Sequence, residues 1–224
     1  MKALSALQIY KVPTVLTYLF HHSSLSMKSI SNISRRDQTR LRILEKADEL
    51  FHRLGFYKTT VVDIALELEM SPANVYKFFA SKKELVQAVA ELNIAMLQGA
   101  IVKSIKEEKK GSSRIKAFVL AIYHFHQNKF RAEHEIYRLI LAAHDEQWRC
   151  LVNFKMVLHG ILTEILEGEF EAKEFSHLEA SIEAGVVLDS LAWIINPLLM
   201  FELENTQVME RINAQIHFIE RALA

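Results

Sequence analysis

The stretch from Thr60 to Phe79, TVVDIALELEMSPANVYKFF, leaves the chain few ways to fold, because it carries two helix-start signals with almost nothing between them. Thr60 stands at an N-cap position and Asp63 three residues later completes a capping box, in which each side chain satisfies a free backbone N–H of the first turn. Val61, Ile64, Ala65 and Leu68 then share one side of a 3.6-residue turn, while Asp63, Glu67 and Glu69 stay in water. That helix is expected to end near Met70. Ser71 caps the next, with Pro72 at the first helical position, where its missing N–H costs nothing. Val75 and Phe79, four apart, point inward. Pro72, Ala73, Asn74, Tyr76 and Lys77 are left on the other faces, and small, amide, phenolic and ammonium groups are what base edges and phosphates can use.

The flanks fit a three-helix unit. Arg36 to Leu54 reads as a helix with Ile43, Ala47, Leu50, Phe51 and Leu54 on one stripe and Gly55 as the left-handed residue after it. Ser81 with Glu84 forms another capping box, opening a long helix from Lys82 to about Ile105. A cation at a helix N-terminus opposes the dipole unless an anion lies nearby, so Lys82 reads as a phosphate clamp. Arg35, Arg36, Arg40 and Arg42 gather just ahead of and inside the first helix, where they can meet phosphates or simply form a solvated face.

Arg36 to Leu85 resembles the DNA-binding domain of the TetR family of bacterial transcriptional regulators. In that family the second half of the domain runs roughly S-x-G-x-x-Y-x-H-F-x-S-K-x-x-L, and Ser71, Tyr76, Phe79, Ser81, Lys82 and Leu85 stand at the matching places. Ala73 replaces the usual Gly, and Phe78 the usual His, which removes a phosphate contact often made there. The resemblance implies an all-α fold of three parts: an extension over 1–34, a helix-turn-helix domain over 35–97, and a helical ligand-binding and dimerisation domain over 98–224. It implies a cytoplasmic, non-enzymatic regulator that binds duplex DNA as a homodimer and is usually a repressor released by a small effector, with no cofactor. Arg36, Thr60, Ser71, Pro72, Ala73, Asn74, Tyr76, Lys77 and Lys82 are then the DNA-contacting residues. Asn74 and Lys77 would read bases, and Thr60, Tyr76 and Lys82 would hold phosphates.

The chain is neutral overall, which looks wrong for a DNA binder until it is divided. Residues 28–85 hold 11 Lys and Arg against 8 Asp and Glu, and residues 86–224 hold 14 against 19, so the halves differ in sign. Half of the 224 residues are apolar, enough for a sizeable core, and six Gly and three Pro leave long helical periodicities uninterrupted. Cys150, the only cysteine, cannot pair within the chain and reads as a packed thiol. Residues 1–26 begin with Lys2 and an apolar run, but Lys11 and Pro13 interrupt it and no small-x-small cleavage pattern closes it. They are expected to be an arm outside the fold, or an upstream start ahead of Met27.

Beyond a connector at 106–113, further helices are expected over about 113–128, 132–144, 148–167 (closed by Gly168), 174–199 and from about 206 onward. Ala184 to Phe201 has only Asp189, Ser190 and Asn196 as polar breaks. A membrane span is disfavoured there, since Asp189 alone would cost about 3 kcal/mol near a bilayer centre and Pro197 interrupts the helix. By the resemblance, Phe118, Ile122, Phe125, Tyr137, His144, Trp148, Met156 and His159 lie on helices that surround an effector cavity, although such side chains are first of all core filler. Ile182, Val186, Val187, Ile212, Ile216 and Ile219, on the last two helices, are the candidate dimer surface. Adjacent residues Val186 and Val187 face directions about 100° apart, so only one of them can point to a partner. Glu49-x-x-His52 and Glu174-x-x-His177 have the spacing of helical di-iron sites, but no further carboxylates match. A helical metal-carboxylate or redox enzyme therefore stands only as the alternative.

Overall fold

A computed structural model describes residues 34–108, 111–130, 148–170, 177–200 and 204–223. The expected helix over 132–144, the N-terminal arm and Glu174 lie outside them. The described residues are helical and contain no strand. They divide into two compact units, one formed by residues 34–96 with 148–152 and the other by 97–130 with 153–223.

In the first unit α1 spans Arg35–Leu54, opened by the Ser34 hydroxyl accepting from the Asp37 N–H and closed by Gly55 at φ 86°. The buried Thr59 hydroxyl donates to the Gly55 carbonyl at 2.9 Å, tying up the corner that follows. α2 spans Val61–Glu67 and α3 spans Pro72–Tyr76. Both are shorter than their hydrophobic patterns suggest. α2 stops because Glu69 turns left-handed at φ 55°. The Met70 N–H then reaches the Ala65 carbonyl at 2.8 Å and the Glu69 N–H reaches Leu66 at 3.1 Å, the two bonds of a Schellman termination. α4, Lys82–Glu107, contributes its first half to this unit and its second half to the other. Ile43, Leu50, Ile64, Val75, Phe79 and Leu85 are fully buried at the centre, and Trp148, from far along the chain, packs into the same core.

The second unit contains the remainder of α4, α5 (Gly111–Phe130), most of α6 (Arg149–Phe170), α7 (His177–Ser190), α8 (Ala192–Ile195), α9 (Pro197–Met200) and α10 (Asn205–Leu223). α6 runs on through Gly168 rather than ending there, and a Cβ at that glycine would sit 3.7 Å from the Arg114 guanidinium, in ordinary contact. The expected single helix over 174–199 is broken twice. Asn196 is extended at ψ 106°, the conformation that the residue before a proline prefers. The short α8 packs on α5, and the ring of the buried His126 hydrogen-bonds the backbone at Ile194. On the far side of the break, the Trp193 indole N–H donates to Gln215, the Gln215 amide donates to the Ser190 carbonyl, and Arg211 lies 4.4 Å from the Trp193 ring. Polar side chains thus hold together a bend that the apolar sequence conceals.

One described helix, Lys82–Glu107, is long and apolar enough to cross a membrane by length and composition. Its apolar side chains Leu85, Val89, Leu92, Leu97 and Ile101 are buried in protein.

Candidate nucleic-acid interface

α2 and α3 pack directly on each other, and the side chains between them explain what is left outside. Val61, Ile64 and Ala65 of α2 and Val75 of α3 face inward with Phe79. Ser71 caps α3 by accepting from the Asn74 N–H at 3.2 Å. Ala73, Tyr76 and Lys77, spaced three and four apart, form an exposed face, with Pro72 and Asn74 half-buried beside it. A base-reading helix needs an anchored inner side and a free outer one, and α3 has both.

Two of the expected phosphate ligands are engaged within the fold. The Thr60 hydroxyl donates to Asp63 Oδ2 at 2.7 Å and accepts from the Asp63 N–H at 3.2 Å, while the Thr60 N–H donates to the same carboxylate at 2.8 Å. These bonds, the Thr60 hydroxyl first, hold the Asp63 carboxyl below its ordinary range. The Lys82 ammonium donates to the Tyr57 carbonyl at 3.2 Å and lies 5.2 Å from the Phe56 ring centroid. Burial pushes its pKa down and nearby Asp63 opposes that shift. Lys82 therefore fastens the corner between α1 and α2, with two ammonium N–H groups left for another acceptor.

Of the leading arginines, Arg35 and Arg36 are exposed on the first turn of α1 and Arg42 is exposed further on. Arg40 is stacked on Phe79, 4.6 Å from the ring centroid, with its charge near Glu91. Cys150 is held in this unit as a packed thiol, its pKa raised to about 11 by burial first and by the Glu91 charge second. Glu49 is paired with Lys46 at 2.5 Å and the His52 ring lies 3.4 Å from the Asp48 carboxylate, so Glu49 and His52 face different partners along α1. Among the described residues no three His, Cys, Asp or Glu side chains gather as a metal site.

The residues expected around an effector are dispersed. Phe118 and Ile122 are fully buried on α5, with Phe125 half-buried. His159 on α6 bonds the Ser181 carbonyl at 2.9 Å, and Met156 is exposed. Trp148 belongs to the core of the other unit, while Tyr137 and His144 lie outside the described residues. Of the expected dimer residues, Ile182 and Val186 are exposed at 58% and 61%, whereas Val187, Ile212, Ile216 and Ile219 are buried within the chain's own unit. The α10 isoleucines form one stripe, and that stripe is used up at home. Phe218, off that stripe on α10, is 61% exposed.

Among the described residues, a helix-turn-helix anchored in its own core and a second helical domain make up the architecture of DNA-binding transcriptional regulators. The comparisons then settle the family. Residues 43–89 match the model for bacterial regulatory proteins of the tetR family, and residues 111–215 match the tetracyclin repressor-like C-terminal domain. The chain belongs to the TetR family. Among solved structures it is similar to a putative TetR-family transcriptional regulator from Mesorhizobium loti, with TM-score 0.67 and 15% identity over 85% of this chain and 98% of that one. It is also similar to SCO4454, a TetR-family regulator from Streptomyces coelicolor, with TM-score 0.64 and 16% identity over 92% and 98% of the two chains. Reduced NemR from E. coli aligns with TM-score 0.59 and 17% identity over 82% and 96%. No curated protein matches the chain by sequence.

Proposed function

We propose that this regulator is a ligand-released repressor that grips a pseudo-palindromic operator as a homodimer in the cytoplasm. The observation that carries the proposal is α3: a capped helix, locked by Val75 and Phe79, that presents Ala73, Tyr76 and Lys77 outward. Asn74 and Lys77 read base edges; Tyr76, Lys82, Thr60 and Arg36 meet the backbone, with Ser71, Pro72 and Ala73 setting the close approach. For Thr60 to donate to a phosphate, its hydroxyl must turn away from Asp63.

A small effector bound in the second unit, near Phe118 and Ile122, releases DNA by preferring a conformation in which the two reading heads are wrongly spaced. Linkage then requires DNA to weaken effector binding by the same factor, about 1 to 3 kcal/mol in typical cases. The partner subunit is held through the exposed side of α7 at Ile182 and Val186, together with Phe218 of α10, as part of an intersubunit helical bundle.

Selection of bound sequences from random duplex DNA tests the reading directly. Asn74→Ala should relax preference at one position of the selected site at a cost of about 1 to 3 kcal/mol. Lys82→Ala should weaken all sequences alike and lower the salt slope by about 1. Melting temperature is measured alongside, because Lys82 also holds the Tyr57 carbonyl. Equal loss of selectivity in both variants would refute the division of roles.

A further inference from the structure

The outer side of α2 inverts the usual surface pattern. Its acids are taken up by partners within the fold: Asp63 by Thr60, and Glu67 by Arg53 at 2.7 Å with Lys46 at 4.0 Å. Val61, Ile64 and Ala65 are buried. Besides the exposed Glu67, what this seven-residue helix shows to water is Val62, 59% exposed, and Leu66, 76% exposed, one turn apart. α2 packs on α3, the helix that carries the candidate reading face.

Charge separates the two side chains. At the start of α2 lie Lys58 and the Lys82 ammonium, whose charge reaches Asp63. At its end the exposed Glu69 adds a negative charge beyond the Glu67 that Arg53 and Lys46 already pair. A polyanion is drawn to the lysine end and repelled from the glutamate end. Val62 is at the first, Leu66 at the second. The major groove offers one methyl group on its base edges, the C5 methyl of thymine.

We infer that Val62 is a specificity-determining residue of this regulator, packing against a thymine C5 methyl in each half-site and extending base reading from α3 onto α2. The inference rests on the DNA-reading assignment above. It requires no hydrogen bond from α2, and it explains why an isopropyl group is held in water at the lysine end of this helix.

The test uses the full chain and the duplex that it selects from random sequence. Each thymine is replaced in turn by deoxyuridine, which keeps base pairing and removes only the methyl. The same symmetric replacement in both half-sites should weaken binding at one position by about fourfold per half-site, the equivalent of one CH2-sized group returned to water. In Val62→Ala that sensitivity should disappear at that position and persist elsewhere. In Leu66→Ala the wild-type profile should remain. A Val62→Ala profile identical to wild type, or a sensitivity removed by Leu66→Ala instead, overturns the inference while leaving the DNA-reading assignment in place. Failure of the wild-type chain to enrich any duplex overturns that assignment, and this inference with it.

Discussion

His126 couples the stability of the second unit to pH. It is buried at 3% exposure, and burial depresses its pKa to about 4 from an ordinary 6.5, with the hydrogen bond to the Ile194 backbone pulling the other way. The sign follows from the depressed value. Above pH 6.5 the ring is neutral in folded and unfolded chains alike, and its contribution is fully present. Between 6.5 and 4 the unfolded chain binds a proton that the folded chain refuses, so stability falls as pH falls. With these two values the loss is about 2 kcal/mol by pH 5 and about 3 kcal/mol by pH 4. His126→Gln keeps an N–H donor for Ile194 and cannot titrate in this range. Urea unfolding of both proteins from pH 7 to pH 4 gives the difference in stability at each pH, in which packing changes appear as a constant offset and the other titrating groups cancel. The difference should shift toward the variant by the amounts above. Parallel curves would refute the reasoning, for they would mean that the ring takes up its proton in the folded protein as readily as in water.

Glu69→Gly removes a side chain from a left-handed residue at the end of α2 and should raise stability by about 1 kcal/mol in chemical denaturation; an unchanged midpoint would mean that Glu69 carries no strain. Val187→Glu places an unpaired charge in the core and should destabilise by about 3 to 5 kcal/mol, giving unfolded or insoluble protein. Val186→Glu, at an exposed site, should leave the fold intact but yield a monomer in sedimentation at micromolar concentration, and a variant that stays dimeric would place the interface elsewhere.

Local chemistry was the legible part. The caps at Thr60, Ser71 and Ser81 depend on residues three or four apart, and each hydroxyl accepts as the spacing implies, although the Glu84 carboxylate takes the Ala80 N–H rather than that of Ser81. The break at Leu191 to Asn196 was hidden because a buried helix and a buried bend are built from the same apolar residues. What secures the bend, His126 at Ile194 and Gln215 at Ser190, comes from distant helices. Lys82 shows the same limit. Sequence reveals a cation at a helix start and suggests an external anion, but not that the Tyr57 carbonyl and the Phe56 ring already receive it. The α10 isoleucines were legible as a stripe and ambiguous as to what covers them, since one's own subunit and a partner's impose identical spacing.

The presence of Trp148 in the core of the helix-turn-helix unit bears on how that unit is made. A ribosome releases residues 34–96 long before residues 148–152, so the nascent head emerges without the indole that packs on its core. Its folding is completed only once the polypeptide has been synthesised through α5 and into α6. Excised as one continuous fragment, or moved between regulators as a cassette, the head would consequently expose the apolar side chains that Trp148 covers.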